Sequence, residues 1–271
     1  MSRELIVIRG GGDIATGTIH KLHRCGFKVV ILEIEKPSSI RRTVCFSEAI
    51  YENKVTVENV VCEKANNLEN VYEILERNNV AVVIDPSGEY IEKLQPLAVV
   101  DAILAKRNLG TRKDMAPITI ALGPGFCAGE DVDIVIETMR GHNLGRLIEK
   151  GYAMANTGIP GEIKGVSKER VIYSQVSGTI SNVKEIGDVV KKGEVLATID
   201  GVEVKATIDG LLRGIIRDKS VIKERLKIAD IDPRIEEVNN SYTISDKART
   251  IAGGVLEAVM YLKGVSFVKK K

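Results

Sequence analysis

The feature that most constrains the fold is a strand, a glycine-rich turn and a helix start at the beginning of the chain. Residues 4–17, ELIVIRGGGDIATG, run from branched aliphatic residues through three glycines into an amphipathic pattern. Gly10, Gly12 and Ala15 fill the G-x-G-x-x-A frame, whose small residues allow a tight turn, close approach of a pyrophosphate and helix packing. Exposed N–H groups and the helix dipole favour an anion at such a turn. The segment therefore predicts a site for a phosphate or a nucleotide.

Neighbouring residues refine this prediction. Gly11 completes the run of glycines, and Asp13 places a carboxylate in the first helical turn, where it caps the helix or repels a phosphate. Glu33 follows Gly12 by 21 positions, the spacing at which a carboxylate can take a ribose hydroxyl. Arg9 stands where an apolar residue is usual before the glycines. Two interpretations stay open, a cofactor-binding turn and a turn that only joins a strand to a helix.

The composition excludes several classes of protein. The 271 residues are 44% hydrophobic, which is enough for a substantial core, and 39 basic against 37 acidic residues leave a net charge of only +2. We therefore expect no nucleic-acid partner. No apolar run is long enough to span a membrane and the N-terminus is unlike a signal peptide, so we expect a cytoplasmic protein. The four cysteines lack metal-ligand spacing, and no third ligand accompanies His20 and His23, so we predict no metal site.

Alternating strands and helices indicate an α/β domain over residues 1–165. The expected strands lie near residues 28–34, 80–85 and 116–125, the expected helices over 67–78 and 95–108, and further extended segments over 43–49 and 54–62. Nearly continuous runs of Val, Ile and Leu are typical of parallel strands that are covered on both faces. We therefore predict a Rossmann-like, doubly wound parallel sheet, with ligands beyond the carboxyl ends of its strands.

Polar residues and glycines follow the last of these strands. Gly123 and Gly125 lie in a second glycine-rich loop that can present N–H groups to an anion. The segment ETMRGHNLGR follows, in which an arginine suits a phosphate or a carboxylate and a histidine suits proton transfer. A surface ion pair and a structural histidine are the alternatives. The candidate catalytic residues are His142 and Glu137, and the candidate cofactor ligands here are Gly123, Gly125, Arg140 and Gly141.

The segment after residue 170 contains an internal repeat. Residues 177–200 align with 209–232 at an offset of 32, which pairs Gly178 with Gly210. The repeat predicts two related β halves joined by a hairpin turn at Asp200-Gly201. It resembles the barrel-sandwich hybrid of biotinyl and lipoyl carrier domains, and we assign residues 170–235 to such a domain. The family's modified lysine is absent from the turn, which favours a structural or docking role.

The final segment, residues 243–264, predicts a helix with Ser245 as its N-cap and one apolar face. Gly253 and Gly254 lower helix propensity and suggest close approach to another element. That element is either the first domain or a second subunit, so a homo-oligomer is possible.

Motifs along nearly the whole chain resemble one family. RGGGDIATG, ALGPGF, VIETMRGHNLG, NTGIPG, DIDPR and ISDKARTIAGGVLEA are similar to the YqeB-type accessory proteins of selenium-dependent molybdenum hydroxylases. The resemblance implies a cytoplasmic role in maturing a molybdenum hydroxylase, which would be the client and partner. It shifts weight onto the matching residues, which are Gly10, Gly11, Gly12, Asp13, Gly123, Gly125, Glu137, Arg140, Gly141 and His142.

Two hypotheses follow from these observations. In the first, the chain is a maturation factor that holds a phosphate-bearing cofactor, either a nucleotide or the molybdenum cofactor, on its glycine-rich loops. In the second, it is an NAD(P)-dependent oxidoreductase, with Glu33 on the ribose and His142 as the acid. A third, weaker hypothesis is a binding module that nucleotide regulates. The sequence leaves the identity of the cofactor open.

Overall fold

The computed structural model describes residues 4–158 and 161–269, with side chains described up to Gly264. The chain divides into two compact units. The first unit comprises Met1–Pro37, Cys45–Asn156 and Ile244–Lys271, and the second comprises Ser38–Val44 and Thr157–Thr243. Within the described residues, no helix is both long and apolar enough to cross a membrane.

The first unit is built on a nine-stranded mixed sheet. A separate two-stranded sheet lies beside it in the same unit. The strands of the large sheet are β1 (Leu5–Arg9), β2 (Lys28–Glu33), β3 (Lys54–Val57), β4 (Val60–Lys64), β5 (Val80–Ile84), β6 (Ala98–Asp101), β7 (Ile118–Leu122), β9 (Ile134–Ile136) and β10 (Leu147–Ile148). The strands of the separate pair are β8 (Cys127–Ala128) and β11 (Gly151–Tyr152). The strand order is β10-β9-β7-β6-β1-β2-β5-β4-β3. The inner pairs are parallel, whereas β3 and β10 run antiparallel at the two edges. The carboxyl ends of the parallel strands therefore meet at one edge of the sheet.

Five helices accompany this sheet, namely α1 (Asp13–Arg24), α2 (Ala49–Glu52), α3 (Leu68–Glu76), α4 (Glu89–Leu94) and α5 (Asp246–Lys269). The side chain of Asn67 caps α3 by accepting the N–H of Asn70 at 2.8 Å. Ser245 caps α5 in the same way, because its hydroxyl accepts the N–H of Ala248 at 3.2 Å. Helix α5 packs on α1, β7 and β9, so the apolar face that its sequence predicts is buried inside the first unit.

The second unit contains two four-stranded antiparallel sheets, ordered β12-β19-β17-β14 and β16-β15-β13-β18. Their strands are β12 (Val171–Tyr173), β13 (Gly178–Asn182), β14 (Val189–Val190), β15 (Val195–Ile199), β16 (Val202–Lys205), β17 (Gly210–Ile215), β18 (Val221–Ile222) and β19 (Lys227–Asp232). The repeat is visible in the pairing, since Gly178 pairs with Ile222 and Gly210 pairs with Val190. Between β15 and β16, Asp200 and Gly201 adopt positive φ angles of 45° and 87°, as a tight hairpin turn requires.

The predicted fold class, a Rossmann-like doubly wound parallel sheet with a barrel-sandwich hybrid domain, is wrong. A doubly wound sheet needs crossover helices on both faces, yet the described connections from β6 to β7 and from β7 to β9 contain no α-helix. The large sheet is mixed, and antiparallel sheets form the second unit. The first unit also takes up the C-terminal helix, and the second takes up Ser38–Val44, so neither unit is one continuous segment of chain.

Two local predictions are also wrong. The predicted helix over residues 95–108 is instead β6, because its apolar run AVVD is short and fully buried between two parallel neighbours, β1 and β7. The segment predicted as extended over residues 43–49 forms short helical turns, Arg42–Val44 and Phe46–Glu48, which lead into α2. The predicted strand near residues 28–34 and the predicted helix over 67–78 are confirmed as β2 and α3.

Candidate functional site

The first glycine turn contacts other segments of its own chain. Gly10 has a φ of 95°, and a Cβ there would lie 3.1 Å from the carbonyl oxygen of Ala102. A Cβ on Gly11 would lie 2.9 Å from the backbone nitrogen of Ser47, whose N–H donates to the Gly11 carbonyl. The glycines are therefore needed because two backbone segments approach the turn closely.

Glu33 is engaged by the same turn. Its Oε2 accepts the N–H of Gly11 at 2.8 Å, and its Oε1 accepts the N–H of Ile34 at 2.8 Å. Burial raises the pKa of Glu33, and these two hydrogen bonds offset part of the rise. The prediction of a Rossmann-type nucleotide site is thus wrong, because the carboxylate assigned to a ribose fixes the turn instead. Only Gly12, Asp13 and the start of α1 remain partly exposed, and Ala15 is buried.

Arg9, which does not fit the usual strand pattern, belongs to a buried polar network. Its Nη1 donates to the Thr111 hydroxyl at 2.6 Å, and that hydroxyl donates to Asp101 Oδ2 at 2.6 Å. Arg9 Nη2 also donates to the carbonyl oxygens of Pro86 and Leu109. Burial raises the pKa of Asp101, and the bonds from Thr111 and Ile103 and the charge of Arg9 offset part of it. This network holds together the ends of β1 and β6.

The second glycine loop is also packed against protein. A Cβ on Gly123 would lie 2.5 Å from the Thr138 hydroxyl, and one on Gly125 would lie 2.6 Å from the Arg107 nitrogen. Both residues have positive φ angles, 75° and 111°. The loop is therefore shaped by close approach of the chain, as the first turn is.

Charged side chains do meet at the carboxyl edge of the sheet, at the starts of α1 and α5. This edge cluster consists of Asp13, Glu137, Arg140, Asp246 and Lys247. Arg140 binds Asp246 with both terminal nitrogens, at 2.7 and 3.1 Å. Both oxygens of Glu137, which is 3% exposed, accept backbone N–H groups, from Met139 at 2.7 Å and Met154 at 2.9 Å.

Lys247 is the central side chain of the edge cluster. Burial lowers its pKa and the positive charge of Arg140 lowers it further, whereas the carboxylates of Asp13, Asp246 and Glu137 offset part of this effect. A lysine in the first turn of a helix also faces the positive end of the helix dipole. A partly buried ammonium at two helix N-termini can bind an anion, and its neutral form is a nucleophile or a base.

Three of the residues predicted from the sequence are brought together here, namely Asp13, Glu137 and Arg140. Glu137 positions the loop around it, because both of its oxygens are taken by backbone N–H groups. His142 and Gly141 are exposed on the turn that follows Arg140, and no Cβ contact restricts Gly141. Sequence reasoning missed Lys247. The sequence does contain a signal for this residue. A lysine follows the N-cap serine and an aspartate, in the first helical turn, where the helix dipole disfavours a cation.

No group of three or more His, Cys, Asp or Glu side chains in the described part of the chain is arranged to hold a metal ion. The edge cluster contains two cations, Arg140 and Lys247, and lies at two helix N-termini. Gly12, Asp13 and Lys247 are partly exposed and Arg140 is exposed, so solvent reaches the edge cluster from this side.

Comparison with solved structures gives only weak likenesses. A succinylglutamate desuccinylase from Silicibacter sp. TM1040 is 10% identical, with 84% of each chain covered and a TM-score of 0.25. The product-bound ectoine utilization protein EutE from Ruegeria pomeroyi is 11% identical, with 84% and 85% covered and a TM-score of 0.27. An aspartoacylase family protein from Mesorhizobium loti is 11% identical, with 85% of each chain covered and a TM-score of 0.28. TM-scores this low carry no argument about function.

Comparison with known sequences is more informative. No protein-family model matches the chain. The uncharacterized protein YqeB of Escherichia coli is 48% identical over 269 residues, which cover 98% of this chain and 50% of that protein. The chain thus spans about half the length of the curated relative, whose name mentions neither molybdenum nor selenium. Over nearly its whole length, the chain is therefore similar to about half of the Escherichia coli protein YqeB.

Proposed function

We propose that the chain is an accessory factor for a molybdenum hydroxylase and that it holds a small phosphate-bearing ligand at the edge cluster. The biological role is supported by the resemblance of the sequence motifs to accessory proteins of selenium-dependent molybdenum hydroxylases. The binding role is supported by one observation, the placement of Lys247 beside Arg140 where α1 and α5 both begin.

The edge cluster contains three carboxylates and two cations, so attraction of an anion depends on the placement of Lys247 and the two helix N-termini and not on net charge. The carboxylate of Asp246 is paired with Arg140, and both oxygens of Glu137 accept N–H groups. The positive ends of two helices and the ammonium of Lys247 are then free to attract a phosphate. Asp13 opposes this attraction, which makes the site weak until the ligand adds contacts of its own.

We do not propose a nicotinamide-dependent oxidoreductase. Its expected ribose ligand, Glu33, accepts the N–H of Gly11 inside the turn. Its expected acid, His142, is exposed on a turn outside the edge cluster. A hydride transfer site needs both groups beside one enclosed cofactor.

The role is tested in cells that lack the gene for this protein. The activity and molybdenum content of the client hydroxylase are measured after complementation with wild type, Lys247→Ala or the matched exposed variant Lys36→Ala. We expect wild type and Lys36→Ala to restore the hydroxylase, and Lys247→Ala to restore about one tenth or less, as loss of one charge-assisted contact costs about 1.5–3 kcal/mol. Full hydroxylase activity in the deletion strain would refute the accessory role.

Binding is tested on the purified protein with inorganic phosphate and with molybdenum cofactor released from a molybdoenzyme. A ligand of the native state raises the melting temperature by mass action. We expect Lys247→Ala to remove the rise and Asp13→Asn to enlarge it, because the second change removes a repelling charge. A rise that Asp13→Asn abolishes would mean that the edge cluster binds a cation.

A further inference from the structure

A second cationic pocket lies at the other end of α1. It is an open pocket of about 490 Å³, lined by the last turns of α1, the turn between β3 and β4 and the start of α5. All of these elements belong to the first unit. The side chains that matter are His20, Lys21, Arg24, Cys25, Glu58 and Arg249, and we call this the helix pocket. Its volume is within the range of small-molecule sites.

The one carboxylate of the helix pocket is already neutralised. Both carboxylate oxygens of Glu58 accept hydrogen bonds from Arg249 Nη2 at 2.6 Å. Oε1 also accepts a hydrogen bond from the N–H of Ile244 at 2.7 Å. His20 Nε2 lies 4.0 Å from Glu58 Oε2. Burial alone would raise the pKa of Glu58, but these bonds and the charges of Arg249 and His20 outweigh it and lower the pKa. Glu58 therefore holds Arg249 in the wall as an ion pair.

Two cations remain. Among residues 4–158 and 161–269, no acidic side chain forms an ion pair with Lys21 or Arg24. Lys21 is half-buried, and its ammonium lies against α5, 3.7 Å from where a Cβ on Gly253 would stand. Arg24 is exposed at the end of α1. The positive charge of the helix pocket thus exceeds the negative charge that the protein supplies.

The backbone of the hairpin turn is unusual where it lines the helix pocket. Glu58 and Asn59 both have positive φ angles, 45° and 70°. Asn adopts this conformation readily, but Glu rarely does. Glu58 stands at a position that favours Gly or Asn, and its carboxylate makes three contacts in the wall of the helix pocket. Such strain is concentrated at binding sites.

We propose that the helix pocket binds a small dianion, either an organic phosphate or a dicarboxylate, with Lys21 and Arg24 as its ligands. Arg249 forms the wall beside them, and the buried His20 lies behind it, with its Nε2 3.2 Å from the carbonyl oxygen of Glu58. The site is separate from the edge cluster, because it uses the last turns of α1 instead of the first. It goes beyond the proposed function, and its test does not depend on any client enzyme.

Cys25 provides the means to measure the charge of this pocket. It is exposed, whereas Cys45, Cys62 and Cys127 are buried, so it is the thiol that reagents reach. The rate of alkylation by iodoacetate, an anion, is divided by the rate with neutral iodoacetamide. Both reagents attack the same thiolate, so the ratio reports local potential and is independent of the thiol's ionisation.

We expect the ratio to fall about tenfold in the double variant Lys21→Gln, Arg24→Gln, because a unit charge about 7 Å away in water changes such a rate about threefold. The matched double variant Lys36→Gln, Lys93→Gln removes two exposed charges elsewhere in the same unit and should leave the ratio unchanged within twofold. In Arg24→Lys, which keeps the positive charge, the ratio should stay close to the wild-type value. An equal ratio in wild type and in the Lys21, Arg24 variant would overturn the proposal.

Ligand binding is tested with inorganic phosphate and with succinate at 10 mM, at constant ionic strength. Protection of Cys25 from iodoacetamide in wild type, but not in the Lys21, Arg24 variant, supports the site, and the better protector identifies the phosphate or the dicarboxylate class. Equal protection in both proteins, or no protection by either anion, overturns it. Since neutral iodoacetamide is used here, protection reports occupancy instead of screening.

Discussion

Alanine substitution of the two adjacent glycines in α5 tests how closely this helix packs on the sheet. At Gly253, the nearest atom to an added Cβ is Lys21 Nζ, at the ordinary contact distance of 3.7 Å. At Gly254, the added Cβ would overlap the carbonyl oxygen of Gly145 and would lie 3.2 Å from Ile136 Cγ2. Two neighbouring glycines in one helix should therefore respond to the same change with opposite signs.

The magnitudes follow from these distances. Alanine is favoured over glycine inside a helix by about 0.8–1.0 kcal/mol, and Gly253→Ala should gain nearly all of it. Gly254→Ala gains the same amount but must displace the backbone at Gly145, and overpacking of this kind costs about 1–3 kcal/mol or more. We expect Gly253→Ala to raise the melting temperature by about 2–4 °C and Gly254→Ala to lower it.

Urea unfolding followed by circular dichroism at the helical band is the appropriate measurement. All the α-helices of the described residues lie in the first unit, so this signal follows the unit that contains α5. The free energies of unfolding of the two variants should lie on opposite sides of the wild-type value. If Gly254→Ala were as stable as Gly253→Ala, the close approach of α5 to Gly145 would be refuted.

Two further substitutions test the buried and partly buried polar networks. Thr111→Val removes the hydroxyl between Arg9 and Asp101 and should cost about 2–4 kcal/mol by urea unfolding at pH 7. The pKa of Asp101 is raised in the folded protein, so ionising this carboxyl costs stability as the pH rises through its folded pKa. The loss of stability caused by Thr111→Val should therefore be smaller at pH 4 than at pH 7. Glu58→Gln should cost about 1–2 kcal/mol at pH 7 by weakening the bonds from Arg249. The pKa of Glu58 is lowered in the folded protein, so its contribution is present above the ordinary value of 4.5 and disappears as the pH falls through the folded value. A deficit that does not diminish on acidification would contradict this.

Some of the fold could be predicted because local patterns decide it. The strand, turn and helix at residues 5–24 follow from an apolar run, three glycines and an amphipathic pattern. Helix α5 follows from a serine N-cap and one apolar face. The strand pairing of the repeat follows from its offset, since Gly178 and Gly210 occupy equivalent positions in the two sheets.

The remainder depends on partners that are distant in sequence. A short apolar run such as AVVD suits a helix or a strand equally, and its position between β1 and β7 decides in favour of β6. The glycine loops could be located, but not interpreted, because a ligand and a neighbouring backbone make the same demand on a glycine. The close approaches at Gly11 and Gly125 come from Ser47 and Arg107, which no local pattern connects to the loops.

Every residue of the motif SDKAR, residues 245–249, has a role at the start of α5. Ser245 caps the helix, Asp246 binds Arg140, and Ala248 packs against α1 where a Cβ on Gly17 would lie 2.8 Å from it. Lys247 and Arg249 project toward different sites, because helical residues two positions apart are rotated by about 200°. Both proposed anion sites therefore depend on one helical turn. A substitution in this turn identifies one of the sites only if binding at the other is measured in the same variant.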